Sequence, residues 1–197
     1  PLFAVADGMG GHVGGALASS TAVRVLEERL SADALGGRLA DLVDLSEGVR
    51  QAAQAVAALA DPEDTMAAPG STLTGVLVLD TEQGPFWLSF NIGDSRTYIV
   101  GGDSIRQMTH DHSAVQEARD LAELTGEELV FPPSNVVTRA LGAGMAVVPD
   151  ADYSLTPLFQ GDYALMCSDG VHGVLDDEMI VQIVRSGGDP QQIANEL

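Results

Sequence analysis

The order of helical and strand patterns constrains the fold of this chain more than any other feature of its sequence. From Ser71 onward, four β-rich runs follow one another with only turn signals between them. The runs are Thr72 to Leu79, Phe86 to Ile92, Arg96 to Val100 and Ser104 to Met108, with a hairpin loop at Gly101-Gly102-Asp103. Two helical patterns precede this block. Helices in pairs and strands in a meander predict a layered α+β fold rather than alternating βαβ units.

Shorter patterns complete the predicted elements. Strands are expected at Leu2 to Ala6, Tyr153 to Thr156 and Tyr163 to Cys167. Helices are expected at Ala16 to Leu30, Leu42 to Leu59, Ser113 to Leu124, Asp176 to Arg185 with Asp176 as the N-cap, and from Pro190 onward. The segment Asp61 to Pro69 is predicted to be a loop.

The 197 residues show no internal repeat, low-complexity tract or domain boundary, which predicts one domain over residues 1–197. The chain begins inside a strand pattern and stops at Leu197 inside an unfinished helical pattern. We therefore expect a window of a longer domain, incomplete at both ends.

The charge balance disfavours several classes of partner. The formal net charge is −20, and all nine basic residues are arginine. A surface this acidic disfavours nucleic acid and anionic membranes, because their phosphates need basic partners. It suits divalent cations and basic polypeptide substrates, although acidity that serves only solubility explains it equally well.

Two further features bear on the compartment. The single cysteine, Cys167, rules out an internal disulfide, so a reducing, cytoplasmic compartment is expected. Its place in an apolar run predicts a buried strand thiol. No apolar run approaches the ~18 residues that a bilayer crossing needs. No membrane contact is therefore expected of this segment, while a membrane anchor outside it stays open.

Three aspartates share one local arrangement, in which each follows an apolar run and adjoins a glycine. They are Asp7 before Gly8, Asp94 after Gly93, and Asp169 before Gly170. A carboxylate at a strand end lies at the rim of a sheet, and the glycine lets the backbone turn sharply. If the three rims meet, their like charges need a compensating cation, and Mg²⁺ or Mn²⁺ prefers such oxygen ligands. The alternative for any one motif is an ordinary Asp-Gly turn.

Other metal and phosphate chemistries fit the sequence less well. Cys167 has Gly173 at the position where a cysteine phosphatase needs arginine. The first glycine-rich turn has Val13 where a dinucleotide-binding fingerprint needs its third glycine, and a Walker A loop lacks its lysine. No zinc motif accompanies the histidines, which are His12, His110, His112 and His172. His12 is a candidate proton donor, but a packing or hydrogen-bonding role is the better interpretation.

Six short motifs occur in order along the chain: Asp7-Gly8-Met9-Gly10-Gly11-His12, Gly70-Ser71-Thr72-Leu73-Thr74, Gly93-Asp94-Ser95-Arg96, Thr109-His110-Asp111-His112-Ser113, Thr138-Arg139-Ala140-Leu141-Gly142 and Cys167-Ser168-Asp169-Gly170. Taken together, they resemble the motifs of the type-2C metal-dependent protein phosphatases, and the bacterial branch matches best. They occur in the family's order and at roughly its spacing. The resemblance implies a four-layer α-β-β-α sandwich, in which helices flank two antiparallel sheets, with a binuclear metal centre at one end.

The resemblance also implies roles for the candidate residues. Asp7 would bridge two Mn²⁺ or Mg²⁺ ions, Gly8 would bind one through its carbonyl, and Asp169 would hold the second. Asp94, with Asp169, would hold a third, more weakly bound ion. The implied reaction is hydrolysis of phosphoserine or phosphothreonine by a metal-activated bridging water, with Asp7 and Asp169 as catalytic residues. Ser113 to Leu129 would form a mobile flap beside the cleft.

The sequence also departs from the family's pattern. The family's N-terminal hairpin, with its phosphate-binding arginine, and its C-terminal Asp-Asn strand are absent. We therefore expect at least one more carboxylate from outside residues 1–197. Arg96 and Arg139 are expected to form structural ion pairs rather than a phosphate clamp. Phe131-Pro132-Pro133-Ser134 replaces a usually more polar stretch near the flap.

The expected partners are phosphorylated proteins, including a Ser/Thr kinase, and the chain is expected to be a monomer. Two alternatives stay open. One is a non-catalytic regulatory or binding module on the same fold, and the other is a phosphatase of anti-sigma-factor antagonists.

Overall fold

The computed structural model describes residues 1–9, 12–61, 68–145 and 147–197, apart from the side chains of residues 12 and 13. The strands are β1 (Leu2–Val5), β2 (Gly8–Met9), β3 (Gly70–Ser71), β4 (Leu73–Thr81), β5 (Gly84–Ile92), β6 (Arg96–Gly101), β7 (Ser104–Gln107), β8 (Leu141–Gly142), β9 (Asp152–Pro157) and β10 (Tyr163–Cys167). The helices are α1 (His12–Arg29), α2 (Leu42–Ala57), α3 (Ala114–Thr125), α4 (Asp169–His172), α5 (Asp177–Arg185) and α6 (Pro190–Glu196). Most of the predicted loop at Asp61 to Pro69 lies outside the described residues. None of the helices in the described ranges has the length and apolarity that a membrane crossing requires.

The first sheet joins its strands antiparallel in the order β1-β4-β5-β9. Alternate residues of a strand point to opposite faces, so one face of this sheet collects large apolar side chains such as Leu77 and its cross-strand partner Leu88. Helices α1 and α2 cover that face. Their buried residues are Ala18, Ala22, Leu26, Leu45, Val49, Ala52, Ala53 and Val56. The apolar faces of the two helices therefore form one layer of the core.

The second sheet joins its strands antiparallel in the order β10-β6-β7. Val100 of β6 packs with Ile180 and Val184 of α5 and with Ile193 of α6. The layers therefore run from α1 and α2 through the first sheet and the second sheet to α5 and α6. This arrangement confirms the predicted α+β fold of two antiparallel sheets flanked by helices.

Polar side chains connect the facing sides of the two sheets. Thr74 Oγ1 on β4 lies 2.9 Å from Thr97 Oγ1 on β6, and both residues are completely buried. At another point, Arg106 of β7 donates to Thr156 Oγ1 of β9 at 2.5 Å. A buried polar group without a partner costs about 1–3 kcal/mol, so these pairs favour one placement of the sheets over others.

The sequence patterns do not predict a third, small sheet of order β2-β3-β8. Its strands have two residues each, too few to show an alternating pattern. In this sheet Gly8 pairs with Ser71, and Ser71 also pairs with Leu141. The short helix α4 is missed for the same reason. Both elements lie next to the aspartates that the sequence singles out.

The helix ends follow from local chemistry and from packing. Asp176 is the N-cap of α5, as predicted, and its Oδ1 accepts from the backbone N–H of Met179 at 2.9 Å. Pro190 is the first residue of α6. Helix α1 begins before its predicted start at Ala16, through residues that include Gly15. A Cβ on Gly15 would lie 2.7 Å from the carbonyl oxygen of Gly8, so close packing explains this glycine within the helix.

Two leucines of α2 lie in opposite environments and test the position of the core. Leu45 is completely buried, whereas Leu42 is 45% exposed. We expect Leu45→Ala to lower the free energy of unfolding by about 2–5 kcal/mol, because it leaves a cavity under the first sheet. Leu42→Ala should lower it by less than about 1 kcal/mol. Urea unfolding followed by circular dichroism measures both changes, and equal effects would contradict this packing.

Candidate metal centre

The three aspartates singled out by the sequence line one pocket. Asp7 follows β1, Asp94 lies in the turn between β5 and β6, and Asp169 follows β10. The pocket has a volume of about 420 Å³ and also contains Gly8. Its remaining lining residues are Met9, Thr72, Asn135, Val136 and Val137. The structure thus brings all four predicted ligand residues to one place, and their role as ligands stays a prediction.

Hydrogen bonds from β3 and the residue after it hold the turn that carries Asp7. The backbone N–H of Asp7 donates to Thr72 Oγ1 at 3.0 Å, and the N–H of Thr72 donates back to the Asp7 carbonyl at 2.9 Å. Ser71 Oγ donates to the same carbonyl at 3.1 Å. A Cβ on Gly8 would lie 2.0 Å from the carbonyl oxygen of Gly15 in α1. Only glycine therefore fits beside Asp7, which explains the Asp-Gly pair.

Three contacts, two with Thr72 and one with His172, hold the turn that carries Asp94. Gly93 has φ +108°, and a Cβ there would lie 2.6 Å from the methyl group of Thr72. Ser95 Oγ lies 2.8 Å from Thr72 Oγ1. The backbone carbonyl of Asp94 lies 3.0 Å from Nε2 of His172 in α4. Thr72 therefore contacts the turns of both Asp7 and Asp94.

Asp169 is held by the short helix α4, in which it is the first residue. The N-cap is Ser168, and the carbonyl of Asp169 accepts from the N–H of Gly173 at 2.9 Å. A Cβ on Gly173 would lie 2.6 Å from that carbonyl oxygen. The same turn of helix carries His172 toward Asp94. Helix α4 thus links the second and third carboxylates.

The carboxylates of the pocket repel one another. Burial raises the pKa of Asp7, and the nearby charge of Asp169 raises it further. Burial also raises the pKa of Asp94, with further contributions from the charges of Asp169 and Asp111. Across the described residues, no arginine or histidine forms an ion pair with Asp7, Asp94 or Asp169. A bound cation would supply the missing compensation.

The donor atoms fit Mn²⁺ or Mg²⁺ by type. Carboxylate oxygens and the backbone carbonyl of Gly8 are hard ligands. In the described part of the chain, however, no three His, Cys, Asp or Glu side chains converge into a group that could by itself hold a metal ion. Mg²⁺ usually binds through one or two carboxylates and keeps several waters. The pocket residues therefore suit a partly hydrated ion rather than an all-protein cage.

Both candidate phosphate-binding arginines form ion pairs away from the pocket, as the sequence predicts. Arg96 forms a bidentate ion pair with Asp111, in which its Nε lies 2.9 Å from Oδ1 and its Nη2 lies 2.6 Å from Oδ2. Both partners are largely buried, at 20% and 6% side-chain exposure. Arg139 Nη1 lies 2.7 Å from Asp152 Oδ1. Neither arginine lines the carboxylate pocket.

Among the remaining candidates whose side chains the structure describes, Cys167 and His110 do not line the pocket. Cys167 is buried at the end of β10, as predicted, and burial raises the pKa of its thiol to about 11. His110 pairs with Asp120 at 2.7 Å, on the flap helix α3. The side chain of His12 lies outside the described residues.

The segment that follows the predicted flap, Ser113 to Leu129, contributes one wall of the pocket. Helix α3 begins after its N-cap Ser113, and residues 126–135 then run without regular secondary structure to the pocket residues Asn135, Val136 and Val137. In the stretch between α3 and these pocket residues, Val130 is 97% exposed and Phe131 is 51% exposed. The mobility of the flap stays a prediction.

Sequence reasoning gave no role to several residues that shape the site. Thr72 and Ser95 lie within two of the six motifs that resemble those of the family. The alternation of Thr72 and Thr74 along the chain could have marked the inner face of the first sheet. His172 and the wall formed by residues 135–137 left no comparable signal, because their positions depend on contacts between distant segments.

Comparison with known proteins places the chain in a family. The family model described as "Protein phosphatase 2C" matches residues 1–197. The serine/threonine phosphatase stp of Listeria innocua is 30% identical over 189 residues, which cover 94% of this chain and 72% of that protein. PstP of Mycobacterium tuberculosis is 35% identical over 185 residues, which cover 93% of this chain and 34% of PstP.

Solved structures agree with the sequence relatives. The serine/threonine phosphatase of S. agalactiae superposes with a TM-score of 0.80 at 27% identity, covering 100% of this chain and 78% of that one. The catalytic domain of PstP in complex with two manganese ions superposes with a TM-score of 0.77 at 32% identity, covering 99% and 78%. With the family match along its whole length, this chain belongs to the protein phosphatase 2C family.

Proposed function

We propose that this chain is the catalytic core of a metal-dependent protein phosphatase that hydrolyses phosphoserine and phosphothreonine. The observation that carries the proposal is the pocket of Asp7, Gly8, Asp94 and Asp169 in a chain of the protein phosphatase 2C family. The related phosphatases support the reaction, and the manganese ions of the PstP structure support the metal.

Four of the pocket residues have proposed roles. Asp7, the carbonyl of Gly8 and Asp169 would hold the two core ions, and Asp94 with Asp169 would hold a third ion. When bound, Mn²⁺ or Mg²⁺ lowers the pKa of a coordinated water, so that hydroxide is available near neutral pH. Three carboxylates without cations repel a phosphate dianion. The pocket therefore admits its substrate only in the metal-loaded protein.

The charge of the surface favours basic protein substrates. The chain has a formal net charge of −20. Helix α3 and the residues after it carry Glu117, Asp120, Glu123, Glu127 and Glu128 against the single base Arg119. The proposed partners are phosphorylated proteins, among them a Ser/Thr kinase. The chain is further proposed to act as a cytoplasmic monomer that binds neither nucleic acid nor membrane.

Asp7→Asn tests the metal centre without changing the size of the side chain. We expect wild-type protein with native flanking segments to release phosphate from a phosphothreonine peptide only with Mn²⁺ or Mg²⁺. Asp7→Asn should lose at least about 100-fold of this activity, because a neutral amide would hold the two cations less well than the Asp7 carboxylate would. Asp80→Asn on β4 makes the same charge change at an exposed site and should behave as wild type. Malachite-green detection of phosphate measures all three.

The outcomes separate the proposed enzyme from the non-catalytic alternative. If wild-type protein binds phosphopeptide but releases no phosphate at any metal concentration, the chain is a binding module on the same fold. If Asp7→Asn turns over as fast as Asp80→Asn, Asp7 does not bridge the metals.

The raised pKa of Asp94 predicts how stability depends on pH in EDTA. The folded protein holds this proton more tightly than the unfolded chain, so the carboxyl adds stability below the unfolded pKa of about 3.9. That contribution is lost as the pH rises through the raised folded pKa. Metal-free Asp94→Asn should therefore unfold at a higher temperature than wild type at about pH 7, with the difference shrinking towards about pH 4. Saturating Mn²⁺ should reverse the order at pH 7. Differential scanning fluorimetry measures both, and an unchanged order with Mn²⁺ would remove Asp94 from the ligands.

Thr72 offers a test of the contacts between the turns. Thr72→Val keeps the shape but removes the hydroxyl that accepts from the Asp7 N–H and pairs with Ser95. We expect a loss of about 1–3 kcal/mol in the free energy of unfolding and a lower Mn²⁺-dependent turnover. Thr72→Ser keeps the hydroxyl and should retain most of both. Equal losses in the two variants would assign the effect to the methyl group instead.

A further inference from the structure

His112 contacts both backbone groups of Gly93, the residue that precedes Asp94. Its ring Nδ1 lies 3.0 Å from the backbone N of Gly93 and accepts that N–H. Its own backbone N–H donates to the Gly93 carbonyl at 2.9 Å. The side chain of His112 is 5% exposed and does not line the carboxylate pocket. His112 therefore contacts the Asp94 turn from outside the pocket.

The hydrogen bonds of the ring define its protonation. An N–H of the backbone can only donate, so Nδ1 must carry no proton. The proton of a neutral ring is then on Nε2, which lies 3.1 Å from Asp152 Oδ2 and donates to it. Burial lowers the pKa of His112, against the opposing effect of Asp152, which agrees with a neutral ring.

The partner of the ring is itself held in place. Asp152 lies in β9, and its other oxygen, Oδ1, accepts from Arg139 Nη1 at 2.7 Å. Arg139 Nη1 also donates to the carbonyl of Asp150 at 3.2 Å. The chain of contacts runs from Arg139 through Asp152 and His112 to Gly93. At each contact in this chain a donor faces an acceptor, so the order of the contacts selects one orientation of the imidazole.

The chain of contacts from Arg139 to His112 fixes the position of the Gly93 backbone. Its φ of +108° and its close approach to Thr72 leave little room for another backbone path. Asn91 Nδ2 adds a second hydrogen bond to the Gly93 carbonyl at 3.0 Å. A rotation of the peptide between Gly93 and Asp94 would break the two hydrogen bonds to the Gly93 carbonyl, and a rotation of the peptide before Gly93 would break the bond from its N–H to Nδ1. Either rotation would move Asp94, which shares the pocket with Asp169.

We propose that His112 is a positioning residue of the metal centre: as a neutral imidazole held by Asp152, it fixes the Gly93 turn so that Asp94 faces Asp169. This inference rests on the proposed function only through the role of Asp94 as a metal ligand. Outer partners of metal ligands typically change metal affinity by about 10–100-fold when they are removed.

Two amide substitutions separate the two nitrogens of the ring. His112→Asn places an amide oxygen near the position of Nδ1 and can still accept from Gly93. His112→Gln places its amide near Nε2, so it can still donate to Asp152 but leaves the Gly93 N–H without an acceptor. Mn²⁺ titrations followed by electron paramagnetic resonance, on the full chain, give the affinity in each variant. Asp94→Asn should remove one Mn²⁺ site. We expect His112→Gln to lower the Mn²⁺ affinity of that same site by about 10–100-fold, whereas His112→Asn should keep most of the wild-type affinity.

The controls distinguish failure of this inference from failure of the proposed function. If Asp94→Asn weakens Mn²⁺ binding and His112→Gln does not, His112 does not position the ligand, while the metal centre stands. If Asp94→Asn binds Mn²⁺ like wild type, Asp94 is no ligand and the inference falls with that role, whereas the turnover of Asp7→Asn still tests the core.

A measurement on the wild-type protein covers the case in which His112→Gln does not fold. Nitrogen-15 NMR of the metal-free chain reports which ring nitrogen of His112 carries the proton. We expect an unprotonated Nδ1 and a protonated Nε2 at neutral pH. A proton on Nδ1 would overturn the inference, because Nδ1 could then not accept from Gly93.

Discussion

Thr72 joins the turn that carries Asp7 to the turn that carries Asp94 through one hydroxyl group. Its Oγ1 accepts from the Asp7 N–H and lies 2.8 Å from Ser95 Oγ, and its methyl group occupies the space that a side chain at Gly93 would need. Asp7 follows a strand of the first sheet, whereas Ser95 leads into a strand of the second. The distance between the two carboxylates therefore depends on this contact between the sheets.

The buried carboxylates of the pocket lower the stability of the folded protein when no cation is bound. Burial and like charge raise the pKa of both Asp7 and Asp94, so the metal-free protein is destabilised at neutral pH. Hydrogen bonds around the pocket offset this cost, since they hold the backbone of each turn rather than its carboxylate. The carboxylates thus remain available to a cation while their main chains stay in place.

Two motifs that are separate in the sequence act as one unit in the structure. The hairpin of β6 and β7 leads away from Arg96 and returns to Asp111, so the two residues form a bidentate ion pair. His112 follows Asp111 in the motif Thr109 to Ser113, and it binds Gly93 in the motif Gly93 to Arg96. The Asp94 turn is therefore held from the β7 side as well as by Thr72. This double attachment agrees with the proposed role of Asp94, because residues that contact a metal ligand help to orient it.

Periodicity and capping chemistry, which are properties of neighbouring residues, predict the α+β class, the strand β10 and the helix α5 with its cap Asp176. The Asp-Gly turns mark Asp7, Asp94 and Asp169, and the resemblance to the family adds Gly8 as a candidate ligand. Contacts between distant segments, which no local pattern shows, bring the aspartates into one pocket, place α4 and the small third sheet beside it, and join Thr72 and His112 to its turns. Asp7 and Thr72 are 65 residues apart, and a hydrogen bond across that separation leaves no local pattern to read. Its formation depends on how two sheets pack, which is settled by buried contacts along the whole chain.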